Sequence, residues 1–246
     1  VQVAAQAGAA ALDLRGTDMR AEVFGTVIGA DGLALGEGGS ALLAGVLSGV
    51  GSVGGRALVL EMTGAAGAEI DVIGHIRGIS TAVAVEGGGT GVVDLFNTGA
   101  IHGHVALGAG DDLVRNAGLI DGDLVLGDGK NFYRGFGDGV VTGQILGGAG
   151  NDRIHGSASD DHVLLGDGRD FARLGCGDDY AEGGVGNDRL FGMRGDDTLL
   201  GERGDDALFG WAGDDTLLGG SKDDQLFGGR GDDTLDGGWD DDQLNG

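Results

Sequence analysis

The sequence predicts an all-β protein, a right-handed parallel β-helix that continues into a parallel β-roll, and three observations support this prediction. Residues 147–245 divide without gaps into eleven rows of nine residues. Glycine supplies 58 of the 246 residues and proline none, and in this region the glycines follow the nine-residue period. The preceding residues carry alternating valine and leucine runs in longer units. We therefore expect an N-terminal cap or irregular segment (1–20), an irregular parallel β-helix (21–146) and a β-roll of eleven nonapeptides (147–246).

The nonapeptide rows share fixed columns. The fourth column is glycine in eight of the eleven rows, and the eighth column is apolar throughout, from Ile154 to Leu244. The sixth column is aspartate in every row: Asp152, Asp161, Asp170, Asp179, Asp188, Asp197, Asp206, Asp215, Asp224, Asp233 and Asp242. Chance does not produce this register, so each row represents one structural unit.

Nine residues suffice for one tight turn and one short strand. We expect glycines in the first, second and fourth columns to adopt positive φ. The last three columns then form a strand whose eighth residue points inward, and two rows make one coil. Successive coils stack at about 4.7 Å. Leucines such as Leu190 and Leu199 would form two facing ladders, with Phe191, Phe209 and Phe227 repeating on one side of the stack.

The acidic residues favour a bound cation. Acids outnumber bases by 40 to 15, for a formal net charge of −25, which disfavours nucleic acid as a partner. Sixth-column carboxylates of successive coils would lie roughly 5 Å apart and repel by about 3 kcal/mol. Calcium accepts oxygen ligands from both carboxylates and backbone carbonyls, and glycine-rich turns expose carbonyls. The rows therefore predict calcium binding that is coupled to folding.

The rows resemble the RTX (repeats-in-toxin, haemolysin-type) nonapeptide family, whose pattern is GGxGxDxUx, where U is a large apolar residue. The best matches are residues 147–155, 183–191 and 228–236. The resemblance implies a β-roll in which the sixth-column aspartates bridge several calcium ions along one edge. It also implies carbonyl ligands from the turns, which would be Gly147, Ala149, Gly150, Gly183, Val185, Gly186, Gly192, Arg194, Gly195, Gly201, Arg203, Gly204, Gly210, Ala212, Gly213, Gly228, Arg230 and Gly231.

The resemblance further implies type I secretion from a Gram-negative cell, with the chain unfolded in the calcium-poor cytosol and folded outside, as a secreted or cell-surface protein. The single cysteine, Cys176, excludes an intrachain disulfide. No apolar run reaches the roughly 18 residues of a membrane helix, so no membrane insertion is expected. The N-terminus lacks an initiator methionine and a Sec signal, so we expect a processed chain or a fragment.

Several rows depart from the pattern. We expect the tightest sites between Gly183 and Asp233 and looser ones over residues 156–182. The departures in the turns are Ser157, Ala158, Ser159, Met193, Glu202, Lys222 and Asp240, and those next to the core are Leu165, Ala172, Leu174 and Ala181.

The N-terminal half has longer units, at residues 75–99, 100–118 and 119–143, with an earlier coil at 22–45. Units of 19 to 25 residues fit a wider β-helix. Residues 107–115 resemble a nonapeptide, so Asp111 and Asp112 are calcium candidates, and Asn131 is a weaker one. A helix over residues 1–12 would cap the open end.

For other candidate sites the sequence permits two interpretations. His102 and His104 alternate on one strand and fit either a metal pair or a solvent-facing pair. Trp211 and Trp239 occupy turn positions and are either exposed packing residues or glycan contacts. No catalytic motif is present in the sequence, so no catalytic residue is predicted.

The leading functional hypothesis is a non-catalytic, calcium-dependent extracellular module with a structural, adhesive or surface-layer role. The alternative is the β-helix and accessory β-roll of a secreted polysaccharide-acting enzyme. Two further contacts are hypotheses: self-association through the solenoid ends, and binding to a glycan or cell surface.

Overall fold

Every element of the chain that the structure describes is a β-strand. The computed structural model describes residues 90–246 in full and, between residues 12 and 86, the backbone of nine strands. All of the described strand pairs are parallel, from the first, which joins Leu12 to Leu33, to the last, which joins Leu226 to Leu244. This confirms the all-β parallel solenoid. Within this part of the chain no helix is long and apolar enough to cross a membrane. The predicted cap and helix of residues 1–20 fall mostly outside the described residues.

The chain forms two compact units. The N-unit comprises Val1–Asp128 with Val140–Gly143, and the C-unit comprises Gly129–Gly139 with Gln144–Gly246. The predicted domain boundaries at residues 20 and 146 stay a prediction.

The described residues of the N-unit form fifteen strands in two parallel sheets. These are β1 (Leu12–Leu14), β2 (Arg20–Val23), β3 (Thr26–Gly29), β4 (Asp31–Leu35), β5 (Ser40–Leu43), β6 (Val46–Gly49), β7 (Arg56–Glu61), β8 (Ala68–Val72), β9 (His75–Glu86), β10 (Val93–Asn97), β11 (Ala100–Ala106), β12 (Leu113–Asn116), β13 (Leu119–Asp121), β14 (Leu124–Val125) and β16 (Val140–Val141). One sheet follows the order β1-β4-β7-β9-β11, and the other follows β2-β5-β8-β10-β12.

The register of the N-unit shows coils of unequal length. Ala100 pairs with His75 on one side and with Leu119 on the other, so successive coils are 25 and 19 residues long, as the repeat units predicted. The earlier coil, predicted at residues 22–45, is shorter than expected, because Glu22 pairs with Leu42, and the coil after it is 29 residues long, because Ser40 pairs with Glu69. Such unequal coils explain why this half has no single sequence period.

An asparagine ladder is buried at one corner of the N-unit. Asn97 and Asn116 are fully buried, and Asn97 Nδ2 donates to Asn116 Oδ1 over 2.7 Å. Each side-chain oxygen also accepts the backbone N–H two residues later, at Gly99 and Gly118. The ladder satisfies the polar groups of the corner, which would be costly to bury without partners.

The C-unit contains thirteen strands in two parallel sheets. Sheet I consists of β17 (Ile145–Ala149), β19 (His162–Asp167), β21 (Tyr180–Val185), β23 (Thr198–Arg203), β25 (Thr216–Ser221) and β27 (Thr234–Trp239). Sheet II consists of β15 (Phe132–Gly135), β18 (Arg153–His155), β20 (Phe171–Cys176), β22 (Arg189–Arg194), β24 (Ala207–Ala212), β26 (Gln225–Arg230) and β28 (Gln243–Asn245).

The register of the C-unit confirms that two nonapeptides make one coil. Leu190 pairs with Leu208, 18 residues later, in sheet II, and Leu199 pairs with Leu217 in sheet I. All four leucines are fully buried, so the two predicted leucine ladders form the core. The phenylalanines of the ninth column lie in register on sheet II, where Phe191 pairs with Phe209.

The strands are longer than the sequence predicted. Each full strand covers the last three columns of one row and the first three of the next, as in Arg189–Arg194. The first column is therefore inside a strand, and like the eighth it points inward: Leu190 and Gly192 are both buried. The expectation that the first column belongs to the turn is wrong. Side chains alternate along a strand, so when the ninth column faces outward, the eighth and the first columns on either side of it both face the core.

Only the second and fourth columns require positive φ. Gly184 and Gly186 have φ of 99° and 146°, whereas the first-column Gly183 is not among the residues with positive φ. Five non-glycine residues occupy the same two columns with φ between 76° and 95°: Met193, Glu202, Trp211, Lys222 and Asp240. These residues adopt a conformation that costs free energy for any side chain with a Cβ.

The third and fourth rows exchange their large and small core residues. Leu165 and Leu174 occupy the first column, and Ala172 and Ala181 occupy the eighth, and all four are fully buried. Since both columns face the core, a leucine in one restores the volume that an alanine removes from the other. The departure leaves the core filled.

Candidate calcium-binding turns

The sixth-column aspartates lie in the turns between the sheets and are buried there. From Asp152 to Asp224, all nine have at most 4 % of their surface exposed. Asp233 and Asp242 in the last coil are half-buried. Carboxylates are almost never buried to this degree unless they are paired or bind a metal.

One oxygen of each carboxylate joins two successive coils. The backbone N–H of Asp170 donates to Asp188 Oδ1 over 2.7 Å, and that of Asp188 donates to Asp206 Oδ1 over 2.7 Å. The same bond recurs along the other edge, from Asp179 to Asp197 and from Asp197 to Asp215, at 2.9 Å each. From Asp170 onward, each sixth-column side chain thus holds the residue 18 positions earlier, in the preceding coil.

The fifth column forms a second ladder with the opposite sense. Asp196 Oδ1 accepts the backbone N–H of Asp214, and Asp214 Oδ1 accepts that of Asp232. These side chains hold the coil that follows, and they are exposed. Their recurrence in the column before the invariant aspartate was the signal that could have indicated this role.

In most rows the second oxygen of the sixth-column carboxylate is buried without a hydrogen-bond donor. A Cβ built on Gly201 would lie 2.5 Å from Asp206 Oδ2 and 2.6 Å from the carbonyl oxygen of Gly219, so both oxygens approach the same Cα. In the described part of the chain eight of these buried Oδ2 atoms accept no hydrogen bond: those of Asp152, Asp170, Asp179, Asp188, Asp197, Asp206, Asp215 and Asp224.

This arrangement raises the pKa values of the turn carboxyls. Burial raises the pKa of Asp170, Asp179, Asp197 and Asp206 to about 7, and that of Asp188 to about 6. Hydrogen bonds from the backbone lower each pKa, but they offset only part of the effect of burial. The charged form of these carboxylates therefore lacks the stabilisation that it has in water.

Burial, and not repulsion between stacked carboxylates, is the larger cause of the raised values. Neighbouring aspartates such as Asp152 and Asp188 raise the pKa of Asp170 less than its burial does. For Asp188 burial is the only cause that raises its pKa. Burial therefore contributes more to the raised pKa values than the repulsion between stacked carboxylates that the sequence predicts. A bound cation would compensate the buried charge.

The carboxylates do not converge on one another. Among the described residues, no group of three or more His, Cys, Asp or Glu side chains is placed to hold a metal. A calcium ion at these turns must therefore take most of its oxygen ligands from backbone carbonyls and water and few from carboxylates. Calcium readily accepts such a set of ligands. The unsatisfied buried Oδ2 atoms fit such an ion.

The third-column carbonyls predicted as ligands already accept one hydrogen bond. Those of Val185, Arg203 and Ala212 accept the backbone N–H of Gly168, Gly186 and Gly195 over 2.8 to 3.0 Å. A carbonyl oxygen has a second lone pair, so this bond leaves it able to bind a cation. The individual carbonyl ligands and the eleven carboxylates stay a prediction.

The turn of the second row differs from the others. Asp161 Oδ2 accepts the backbone N–H of Ser157 over 2.8 Å and its hydroxyl over 3.5 Å. Ser157 and Ser159 are not among the residues with positive φ. The serines thus satisfy within the row the oxygen that is unsatisfied in other rows, in keeping with the looser site expected there.

A related turn occurs in the N-unit. Asp112 is buried, its Oδ1 accepts the backbone N–H of Val93 over 2.7 Å, and burial raises its pKa to about 7. Asp112 therefore has the position and environment of a sixth-column aspartate, whereas Asp111 is exposed. Asn131, in the C-unit, is buried and its N–H donates to Asp152 Oδ1, so it occupies the sixth column without a charge.

The two histidines of β11 pair with aspartates. His102 Nδ1 lies 3.2 Å from Asp121 Oδ2, and His104 Nδ1 lies 3.1 Å from Asp123 Oδ2. The described residues do not bring either histidine into a cluster of metal ligands. Trp211 and Trp239 are exposed, as expected, but they lie in β24 and β27 rather than in turns.

Comparison with known proteins identifies the C-terminal region. The family described as RTX calcium-binding nonapeptide repeat (4 copies) matches residues 144–172, 182–217 and 218–246. No curated protein and no solved structure matches the chain. The matched segments contain the stacked turns with buried, unsatisfied aspartate oxygens. The C-terminal region, residues 144–246, therefore contains RTX calcium-binding nonapeptide repeats.

Proposed function

We propose that the chain is a secreted, calcium-dependent structural module whose C-unit folds when calcium binds between successive turns. The observation that carries this proposal is the row of buried Oδ2 atoms without a hydrogen-bond donor, from Asp152 to Asp224. In the absence of a cation, folding must bury these carboxylates charged or protonate them. A divalent ion removes this cost at every turn.

Calcium concentration would then select the place of folding. A ligand that binds only the folded state stabilises it by RT ln(1 + [L]/Kd), and several sites multiply the effect. Extracellular calcium modules typically bind at about 10⁻⁴ to 10⁻³ M. A module of this class stays unfolded in the cytosol and folds outside, which is compatible with type I export and a secreted or cell-surface location.

The test is a calcium titration of the full chain, followed by far-UV circular dichroism. We expect a chelator to remove most of the β-signal of the C-unit, and calcium to restore it in a cooperative transition. Magnesium at the same concentration is the control, and it should be much less effective because it keeps its waters and requires octahedral geometry. A chain that is equally folded in chelator and in calcium contradicts the proposal.

The extracellular, non-catalytic role is supported by the structural nature of the matched repeats. It is tested by locating the protein in cultures of its source organism. An antibody should detect it in the medium or on the cell surface, and detection only inside the cells would contradict this role.

A second candidate, a secreted enzyme acting on an acidic polysaccharide, is favoured by one feature of the N-unit. His102 on β11 pairs with Asp121 and lowers the pKa of that carboxyl, while Nδ1 of the neighbouring His104 accepts the backbone N–H of Asp123. A histidine–aspartate pair can move protons. Turnover of an acidic polysaccharide by the full chain, abolished by His102→Ala or His104→Ala but not by Asn245→Ala, would establish this function.

A further inference from the structure

The two sheets of the C-unit differ in charge. The strands of sheet II contain six arginines and neither aspartate nor glutamate: Arg134, Arg153, Arg173, Arg189, Arg194 and Arg230. The strands of sheet I contain one arginine, Arg203, and four acids, Asp167, Glu182, Glu202 and Asp236. In a chain with a net charge of −25, this segregation gives one strongly basic surface.

The arginines of sheet II are available to a partner. All six are exposed, and among the described residues none forms an ion pair. The guanidinium groups of Arg134 and Arg153 lie over the rings of Phe136 and Phe171, at 4.5 and 5.7 Å from the ring centres. Contacts of this kind orient a guanidinium group and leave its N–H donors free.

An unbroken row of rings runs along the same surface. The centres of Phe132 and His155 are 5.5 Å apart, and those of Phe191 and Phe209 are 4.7 Å apart with parallel planes. The row continues through Phe171 and ends at Phe227, and all of these side chains are half-buried. Apolar ring faces thus alternate with exposed guanidinium groups from one coil to the next.

Three depressions open on sheet II. One of about 220 Å³ is bordered by Arg134, His155 and Arg173, and one of about 370 Å³ by Phe132, Arg153 and Phe171. The third, of about 490 Å³, lies between Trp211 and the rings of Phe209 and Phe227, with Arg230 at its edge. It forms because Gly229 has no side chain at the register position where the preceding coil has Trp211.

Trp211 is a further sign of function on this surface. Its side chain is 54 % exposed, and its φ of 81° falls in the second column, where the pattern has glycine. A large apolar residue that is both exposed and strained gains nothing for the fold. Strained residues often cluster at binding sites, where a partner compensates their cost.

We propose that the outer face of sheet II binds a carboxylated polysaccharide, with arginines pairing the carboxylates and the row of rings packing against the sugar faces. An arginine fork matches the two oxygens of a carboxylate. Aromatic side chains provide flat apolar surface at little entropic cost. This partner class extends the extracellular structural role proposed above and rests on that proposal, since the surface exists only when the C-unit is folded.

Charge density favours an acidic glycan over a nucleic acid. Nucleic acids carry a phosphate on every nucleotide, and their binding depends on a large excess of basic charge. The acidic turns that flank sheet II repel any polyanion, and this repulsion is weaker when the polymer carries fewer charges. An acidic polysaccharide has at most one carboxylate per acidic sugar, and its sugar rings can occupy the depressions beside the phenylalanines.

The experiment measures binding of hyaluronan, a glucuronate-containing polysaccharide, to the full chain in saturating calcium by isothermal titration calorimetry. We expect hyaluronan to bind and neutral dextran not to bind. Arg173→Gln should weaken binding about two- to fivefold, and Arg153→Gln with Arg173→Gln about tenfold, in line with exposed ion pairs. The charge-matched control Lys222→Gln, which lies outside sheet II, should change binding by less than twofold.

Trp211→Gly separates binding from folding. It removes the indole and relieves the positive φ, so the variant should bind hyaluronan more weakly while needing no more calcium to fold. Circular dichroism of each variant in calcium distinguishes a failure of the folding proposal from a failure of this one. A folded chain that binds hyaluronan and dextran equally, or whose binding is unaffected by the arginine substitutions, overturns the inference.

Two further outcomes would also overturn it. One is tighter binding of a single-stranded oligonucleotide than of hyaluronan, with the same dependence on Arg153 and Arg173. The other is light scattering that shows a dimer which dissociates on the arginine substitutions, with no glycan binding. The first would assign the face to nucleic acid and the second to another copy of the chain.

Discussion

The backbone N–H of Asp188 donates a 2.7 Å hydrogen bond to Oδ1 of Asp206, the residue at the same position one coil later. This bond leaves Asp206 Oδ2 buried beside Gly201, without a donor and close to the carbonyl oxygen of Gly219. One oxygen of the carboxylate thus holds the stack together, and the other makes the stack depend on a cation.

Asp206→Asn should separate these two roles. The amide oxygen can still accept the N–H of Asp188, while the NH₂ group replaces Oδ2 and can donate to the Gly219 carbonyl. We expect the variant to be about 1–2 kcal/mol more stable than the parent in chelator, since an uncompensated buried charge is removed. Its stabilisation by calcium should be smaller than that of the parent. The calcium concentration at the midpoint of folding and urea unfolding in saturating calcium measure the two changes, since the C-unit does not fold in chelator.

Asp205→Asn is the matched control for this substitution. Asp205 is exposed in the same turn, and its Oδ2 accepts a 3.2 Å bond from Asn187 Nδ2. The change should alter stability by no more than about 0.5 kcal/mol in either condition. Equal effects of the two substitutions would contradict the role assigned to Asp206 Oδ2.

The raised pKa values predict that the calcium-free fold is favoured by acid. The pKa of Asp197 and Asp206 is about 7 in the folded chain, and that of an unfolded aspartate is about 3.9. Between these values the folded state binds more protons, so stability in chelator is fully present below about pH 4 and falls as the pH rises towards 7. Calcium competes with these protons, so its stabilising effect should increase over the same range.

Thermal unfolding in chelator and in calcium, from about pH 4.5 to about pH 8, checks this prediction. Asp206→Asn provides the control, since it removes one of the titrating groups and should flatten the pH dependence. A calcium-free chain whose stability increases steadily across this range would show that the turn carboxyls are not the groups that control folding.

The nine-residue period was enough to predict the fold of the C-unit, because the invariant Asp and the apolar eighth column recur in every row. The two facing leucine ladders follow from that period, as the pairing of Leu190 with Leu208 shows. The inward first column was not predicted. Its glycines resembled turn glycines, and only Leu165 and Leu174 indicated that the position faces the core.

Two features of the site needed the structure. The sequence places Asp205 and Asp206 side by side, but it does not show that one is exposed and the other buried. The sequence does not show the basic surface of sheet II directly, because odd and even rows alternate between the two sheets. In the structure, Arg153, Arg173 and Arg189 lie on one face.

Gly201→Ala tests the reason for the first-column glycine. The position needs no positive φ, but a Cβ would lie 2.5 Å from Asp206 Oδ2 and 2.6 Å from the Gly219 carbonyl oxygen. We expect the free energy of unfolding in calcium to fall by about 2–3 kcal/mol and calcium binding to weaken, because the added methyl group displaces the carboxylate. Calorimetric unfolding and a calcium titration measure the two effects.

The control for this substitution is Gly137→Ala. Gly137 has a φ of 54°, and no atom lies within 4 Å of a Cβ built there. Only the conformational cost of about 1 kcal/mol applies, and calcium binding should be unchanged. A Gly201→Ala chain that binds calcium as tightly as the parent would show that the glycine has no part in positioning the carboxylate.

The strained second column predicts a stabilising substitution. Glu202 has a φ of 76°, and its register partners on both sides of sheet I are glycines, Gly184 and Gly220, with φ of 99° and 112°. Glu202→Gly relieves the strain of a side chain at positive φ in the folded state. This gain is larger than the entropic cost of ordering a glycine, which is more flexible in the unfolded chain. We expect the variant to gain about 1 kcal/mol in calcium, measured by urea unfolding.

Glu202→Ala is the control, because it removes the same charge but keeps a Cβ at positive φ. It should gain less than about 0.5 kcal/mol, since the strain remains and only a surface charge is lost. If alanine stabilises the chain as much as glycine does, the gain comes from removing an acid from the surface, and the backbone at this position is not strained.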